Sequence, residues 1–203
     1  MIISDWYLNI KVLPSISKKS IDYLTTLKPF KASLWELKTD EMKAYKKELL
    51  EKLLKIQNNR CVYCGLSLSR RSQDREHFVH KAAKKGYQEF MFNSDNLFAS
   101  CEFCNRRLKG QKNVINQYNA DYSKCTFKII HPFYDLPDNY IQFIPSKNKP
   151  IKVIPTKTDC GKGKETIRMF ELDTFVMAQE RIGFIAQLDL LTSPFSNILQ
   201  YKP

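Results

Sequence analysis

The chain has 203 residues, 43% hydrophobic and 27% charged, a composition that suits a globular core and excludes disordered, collagenous and low-complexity classes. Its 33 Lys and Arg against 21 Asp and Glu leave a net charge of +12, read either as a surface for a polyanion, nucleic acid before membrane, or as a merely lysine-rich soluble protein. No apolar run approaches the roughly 20 residues of a bilayer span and the N-terminus lacks a basic-then-apolar leader, so a soluble, cytoplasmic protein without membrane contact is expected.

Three parts are predicted: 1–59, 60–112 and 113–203. They hold 11 basic and 7 acidic, 11 and 5, and 11 and 9 groups respectively, so half of the excess charge sits in the short middle part. The first part reads as helical. Ser17–Leu27 is a short helix ending before Lys28-Pro29. Thr39 caps a longer one, with Asp40 and Glu41 in its first turn where the helix dipole favours acids. Met42, Tyr45, Leu49, Leu50, Leu53, Leu54 and Ile56 recur at helical spacing and are expected to pack on the next part, and Asn58-Asn59 ends the run.

The middle part opens with Cys61-Val-Tyr-Cys64 and closes with Cys101-Glu-Phe-Cys104, two C-x2-C pairs with 36 residues between them. Two such pairs complete a closed tetrahedral Zn2+ site. Disulfides and a redox C-x2-C are the competing readings; a cytosolic chain disfavours the first and the duplicated pair the second. Cys125 and Cys160 stand apart and read as plain thiols. A closed four-cysteine site leaves no coordination position for water, so any chemistry must come from residues that the zinc holds in place.

In the C-terminal part, prolines at 132, 137, 145, 150 and 155 punctuate strand-like runs at Thr126–Ile130, Tyr140–Ile144 and Ile151–Ile154. Asp173 or Thr174 caps a terminal helix with Phe175, Ala178, Ile182, Ile185, Leu188 and Leu191 facing inward, stopped by Ser193-Pro194.

Between and after the Cys pairs lie Arg75-Glu76-His77-Phe78-Val79-His80-Lys81, Ser94-Asp95-Asn96-Leu97 and Asn105-Arg106-Arg107-Leu108-Lys109-Gly110. Over residues 60–110 this order resembles the HNH endonucleases of the ββα-metal group: C-x2-C, an acid-His pair, Asn-Leu, then C-x2-C-Asn with basic residues and Lys-Gly. The resemblance implies an α+β fold with a zinc-stapled ββα-metal core in the middle part. It implies His77 as general base, a task that imidazole suits near neutral pH. Glu76 and Asn105 are implied as ligands of a catalytic Mg2+ or Mn2+, and Asn96 as the brace that orients the base. Its products carry 5′-phosphate and 3′-hydroxyl ends, DNA being the expected substrate with RNA open.

Arg75, His80, Lys81, Arg106, Arg107 and Lys109 are candidate phosphate contacts, within a wider basic set that adds Arg70, Arg71, Lys84, Lys85 and Lys112. His80 stands where many relatives have proline and reads as a phosphate contact, a further ligand or a packed histidine. Three residues separate Asn105 from Lys109-Gly110 where the family usually has two. On an α-helix that rotates Lys109 by about 100°, which passes its phosphate contact to Arg106 or Arg107.

The flanks, with His131-Pro132-Phe133-Tyr134-Asp135 and Lys162-Gly163-Lys164-Glu165-Thr166, resemble the HNH nucleases paired with ATPases in bacterial anti-phage systems, of Septu type or retron-associated. That likeness implies an ATPase partner docked on the helical parts. The alternatives are a stand-alone restriction or homing nuclease, or a non-enzymatic zinc module that binds nucleic acid or protein.

Overall fold

The computed structural model describes residues 6–82, 84, 86–144, 152–155 and 161–192. Among these residues the fold is α+β, with helices around three small antiparallel two-stranded sheets. One hydrophobic core runs from Trp6 to Met177 and takes side chains from all three parts of the chain.

The two N-terminal helices follow their caps. Helix α1 (Lys18–Thr26) starts on Ser17, whose side chain accepts from Ser20, and α2 (Asp40–Ile56) starts on Thr39, whose side chain accepts from Met42. Glu48 of α2 accepts from the backbone N–H and hydroxyl of Ser17 at 2.6 and 2.9 Å, pinning α1 to its neighbour. Asn58 and Asn59 then take φ of 50° and 53°, left-handed backbone that Asn tolerates and that ends the helix. Met42, Tyr45, Leu49 and Leu53 form the buried face, while Leu50, Leu54 and Ile56 pack partly buried against the core. Gln57 joins this helix to the middle part: its side chain accepts from Ala99 N–H and donates to the Ala99 carbonyl, both at 2.8 Å.

Strands β1 (Asp74–His77) and β2 (Leu97–Ser100) pair antiparallel, with Glu76 opposite Phe98 and His77 opposite Leu97. β2 is buried along its whole length and leads directly into a short wide helix, Phe103–Lys109. This helix bonds i to i+5, the Gly110 N–H reaching the Asn105 carbonyl at 2.7 Å.

Beyond it, β3 (Ile115–Gln117) pairs with β4 (Thr126–Phe127), and β5 (Ile141–Ile144) with β6 (Lys152–Pro155). The predicted 126–130 strand is shorter than expected because Ile130 leaves the ladder to donate its N–H to Thr166 Oγ1 at 2.9 Å. Helix α3 (Gly161–Met169) was not predicted, since Gly161 and Gly163 argue against a helix locally. Buried Thr166, Ile167 and Met169 hold it in place.

Helix α4 (Phe175–Thr192) begins at Thr174, whose side chain accepts from Met177. Its predicted inward stripe holds for Ala178 and for Ile185, which packs partly buried on the core, and is corrected at Phe175 and Ile182. Met177, Ala178 and Arg181 are buried, whereas Phe175 is 56% and Ile182 38% exposed. Polar residues (Gln179, Glu180, Arg181 and Gln187) fall all round this helix, so its pattern selects no face; Arg181 turns inward and donates to the Leu172 carbonyl at 2.6 Å. The Leu188 and Leu191 side chains, Ile151 and the Ser193-Pro194 stop lie outside the described residues. Among those described, no helix is long and apolar enough to cross a membrane.

Candidate metal centre and candidate active site

The four cysteines of the two C-x2-C pairs converge. Cys61 and Cys64 lie on a tight turn after α2, and Cys101 and Cys104 where β2 runs into the wide helix; all four are buried and free, their sulfurs within 4.8 Å of one another. A tetrahedral Zn2+ with Zn–S bonds of about 2.3 Å needs sulfurs about 3.8 Å apart, so this donor set fits zinc. Cys125 is a separate buried thiol that donates to the Asn119 carbonyl at 3.2 Å, and Cys160 lies outside the described residues.

Gly65 closes the first turn at φ 68°, and a Cβ there would sit 2.2 Å from the Trp6 carbonyl oxygen. Gly65→Ala is therefore expected to destabilise the protein by at least about 2 kcal/mol, from backbone strain plus a clash that no rotamer relieves. Urea unfolding measures it, and an unchanged midpoint contradicts this account of the turn.

Beside the thiol cluster, β1, the wide helix and the 32–36 turn enclose a cleft of about 470 Å3, bordered by Trp35, Glu76, His77, His80, Asn105 and Lys109. Glu76 and His77 alternate across β1. Glu76 is 2% exposed, accepts from the Tyr63 hydroxyl at 2.9 Å and pairs with Lys109 Nζ at 2.6 Å. Burial pushes its carboxyl above the usual range, opposed by the Lys109 ammonium and the Tyr63 hydroxyl.

His77 borders the same cleft with other partners. Its Nε2 lies 3.1 Å from the Met91 carbonyl, and its ring stands edge-on to Trp35 at 4.4 Å. A carbonyl only accepts, so Nε2 carries the proton and Nδ1 is the basic nitrogen. Burial first, then Lys81 and Lys109, hold the imidazole well below its ordinary pKa, in the neutral form.

Asn105 donates Nδ2 to Asp74 at 3.1 Å, which leaves Oδ1 as its acceptor, and Arg106 forks onto the same carboxylate at 2.9 and 3.0 Å. Arg75 is half-buried and donates to the Lys46 carbonyl; Lys81 pairs with Glu36 at 3.4 Å. His80 borders the cleft and is 7% exposed, with a buried Nδ1 that has no partner among the described residues. Arg107 is exposed outside the cleft lining. Of the wider basic set, Arg70 and Arg71 border a second groove against α4, Lys84 and Lys112 are exposed, and Lys85 lies outside the described residues.

Lys109 departs most from expectation. It is 1% exposed, its ammonium held between Glu76 and, at 2.9 Å, the His77 carbonyl, so it is enclosed rather than presented to phosphate. The predicted rotation assumed an α-helical turn. The i→i+5 turn absorbs the extra residue and returns Lys109 to the cleft with Asn105.

Asn96 is fully buried and touches no cleft surface; it bonds the Val79 N–H and carbonyl at 2.7 and 3.1 Å. Trp35, Tyr63 and Asp74 are site residues that the sequence reading missed. Asp74 was legible, two positions before Glu76 on the same strand face; Trp35 belongs to no local motif.

No protein-family model matches the chain. Over 165 residues it is 27% identical to a Septu protein PtuB from Bacillus mycoides (strain KBAB4), covering 72% of this chain and 54% of that protein. Over 138 residues it is 30% identical to a Septu protein PtuB from Bacillus thuringiensis, covering 64% and 44%. The chain thus spans about half the length of the curated relatives it matches.

Proposed function

We propose that this chain is a metal-dependent HNH endonuclease that hydrolyses DNA as the nuclease of a Septu-like anti-phage defence system, acting with an ATPase partner. One observation carries the reading: His77, with Nε2 on the Met91 carbonyl, lines one cleft with the oxygen donors of Glu76 and Asn105, on a strand–strand–helix unit beside the four-cysteine cluster. The similarity to the two Septu proteins supports the defence role.

Glu76 and Asn105 offer the hard oxygen donors that Mg2+ takes. When bound, the ion supplies neutralisation of the scissile phosphate and of the leaving 3′ oxygen. His77 Nδ1 takes the proton of the attacking water, and the Met91 carbonyl, already on Nε2–H, stabilises the resulting imidazolium. Lys109 compensates the buried Glu76 charge. Arg75, Lys81, Arg106 and Arg107, with His80, receive the backbone phosphates, so binding is salt-sensitive and weakly sequence-selective.

The test is nicking of supercoiled plasmid by the purified chain in Mg2+ or Mn2+ with EDTA controls, alongside a structured RNA and with or without the cognate ATPase. Ion-dependent nicking supports the reading; RNA cleavage alone changes the substrate; no cleavage with the ATPase present removes it. Within this mechanism Trp35 keeps the His77 ring in place. Trp35→Ala is expected to lower the nicking rate about tenfold to a hundredfold with little change in DNA affinity. An unchanged rate assigns Trp35 to packing alone.

A further inference from the structure

The segment His131-Pro132-Phe133-Tyr134-Asp135 lies outside the candidate active site, yet its histidine is 0% exposed and bonded through both ring nitrogens. The N–H groups of Phe133 and Tyr134 each donate to His131 Nδ1 at 3.2 Å. Nε2 is therefore the protonated nitrogen, and it lies 3.1 Å from the Tyr122 hydroxyl. That hydroxyl donates to Asn96 Oδ1 at 2.9 Å, so its oxygen accepts from His131. The turn is anchored in turn: the His131 N–H donates to Asp135 at 2.7 Å, and Lys162 of α3 grips that carboxylate at 2.9 Å.

At the other end, Asn96 uses every hydrogen-bonding position it has. Oδ1 accepts from Val79 N–H and Tyr122, while Nδ2 donates to the carbonyls of Val79 and, at 3.0 Å, Phe90. One side chain thus clamps both ends of the 79–90 segment. Both ends adjoin His77, for Val79 follows it by two positions and Phe90 precedes Met91, whose carbonyl holds the His77 Nε2–H.

We propose that Tyr122 and His131 are positioning residues for His77. The Tyr122 hydroxyl, oriented by His131, fixes the Asn96 amide, and that amide sets the Met91 carbonyl and so the tautomer that leaves Nδ1 open. Losing the hydroxyl strands a buried His131 N–H and frees the Asn96 amide to turn. The kinetic arm of the test rests on the nuclease reading; the spectroscopic arm does not.

The test is Tyr122→Phe in the full chain, a change of one oxygen. In nitrogen-15 NMR the wild-type His77 is expected to show an Nε2–H tautomer with a slowly exchanging proton, and the variant to exchange that proton at least about tenfold faster. In plasmid nicking the variant is expected to lose at least about tenfold in kcat with KM within about twofold. A hydroxyl that serves stability alone lowers the unfolding midpoint and leaves both readouts unmoved at temperatures where both proteins are folded, and that result overturns the proposal. A wild type that gives the His77 signature and cleaves nothing sinks the nuclease reading, while the NMR comparison still decides this one. Should Tyr122→Phe fail to fold, His131→Gln, which keeps an N–H for the hydroxyl, is expected to protect the His77 proton where His131→Leu does not; equal exchange in the two overturns the proposal.

Discussion

His77→Ala is expected to cut ion-dependent cleavage by roughly 10²–10⁴-fold, the usual worth of a positioned general base. Its hydrogen bond goes to the Met91 carbonyl and its ring stands against Trp35, neither of them part of the thiol cluster, so its loss is expected to leave that cluster and the fold in place. Zinc content and the near-ultraviolet circular dichroism should therefore match the wild type. The pairing of lost turnover with a kept fold separates an enzyme from a binding module, which is indifferent to this residue. Turnover that survives the substitution refutes the mechanism outright. DNA binding measured at low salt should also survive, because the phosphates are met by Arg75, Lys81, Arg106 and Arg107.

Removing the metal of the four-cysteine centre is expected to unfold the middle part. Structural zinc sites contribute about 10–16 kcal/mol of apparent binding energy, most of it folding energy, which exceeds the net stability of an ordinary domain. Here an ion on the four sulfurs would tie the turn after α2 to the junction of β2 with the wide helix. Cys104→Ser is the sharper form of the test, since Cys104 precedes Asn105 in the first turn of the helix that carries Lys109. Loss of zinc in a chromogenic chelator assay, with collapse of cooperative thermal unfolding, is the expected outcome. A variant that keeps its zinc and its melting temperature shows that the cluster is not the staple described here. Collapse on reduction, with no zinc in the native protein, favours disulfides instead.

Much of the fold was legible because its signals are local. The Ser17 and Thr39 caps and the Asn58-Asn59 stop act through hydrogen bonds and sterics spanning a few residues; both helices start at those caps, and the second ends just before Asn58-Asn59. The C-x2-C spacing likewise suits two thiolates on one ion, so the four-cysteine donor set is legible in the sequence. The alternation of Glu76 and His77 across β1 follows from strand geometry alone.

The tertiary structure decided what depends on partners distant in sequence. The sequence can state that one residue too many separates Asn105 from Lys109; whether the helix carries Lys109 away or widens to keep it depends on the buried Glu76 carboxylate waiting for a cation. Trp35 meets His77, and Tyr122 meets Asn96 and His131, through packing that no local periodicity reports. For α4, whose polar residues are scattered round the helix, the inward face is fixed by partners distant in sequence, among them Trp6 against Phe184 and Arg71 with Glu180. The residue types of the site were thus written in short-range pattern, while their protonation, enclosure and bracing arise from long-range burial, where an unpaired polar group costs too much to be left alone.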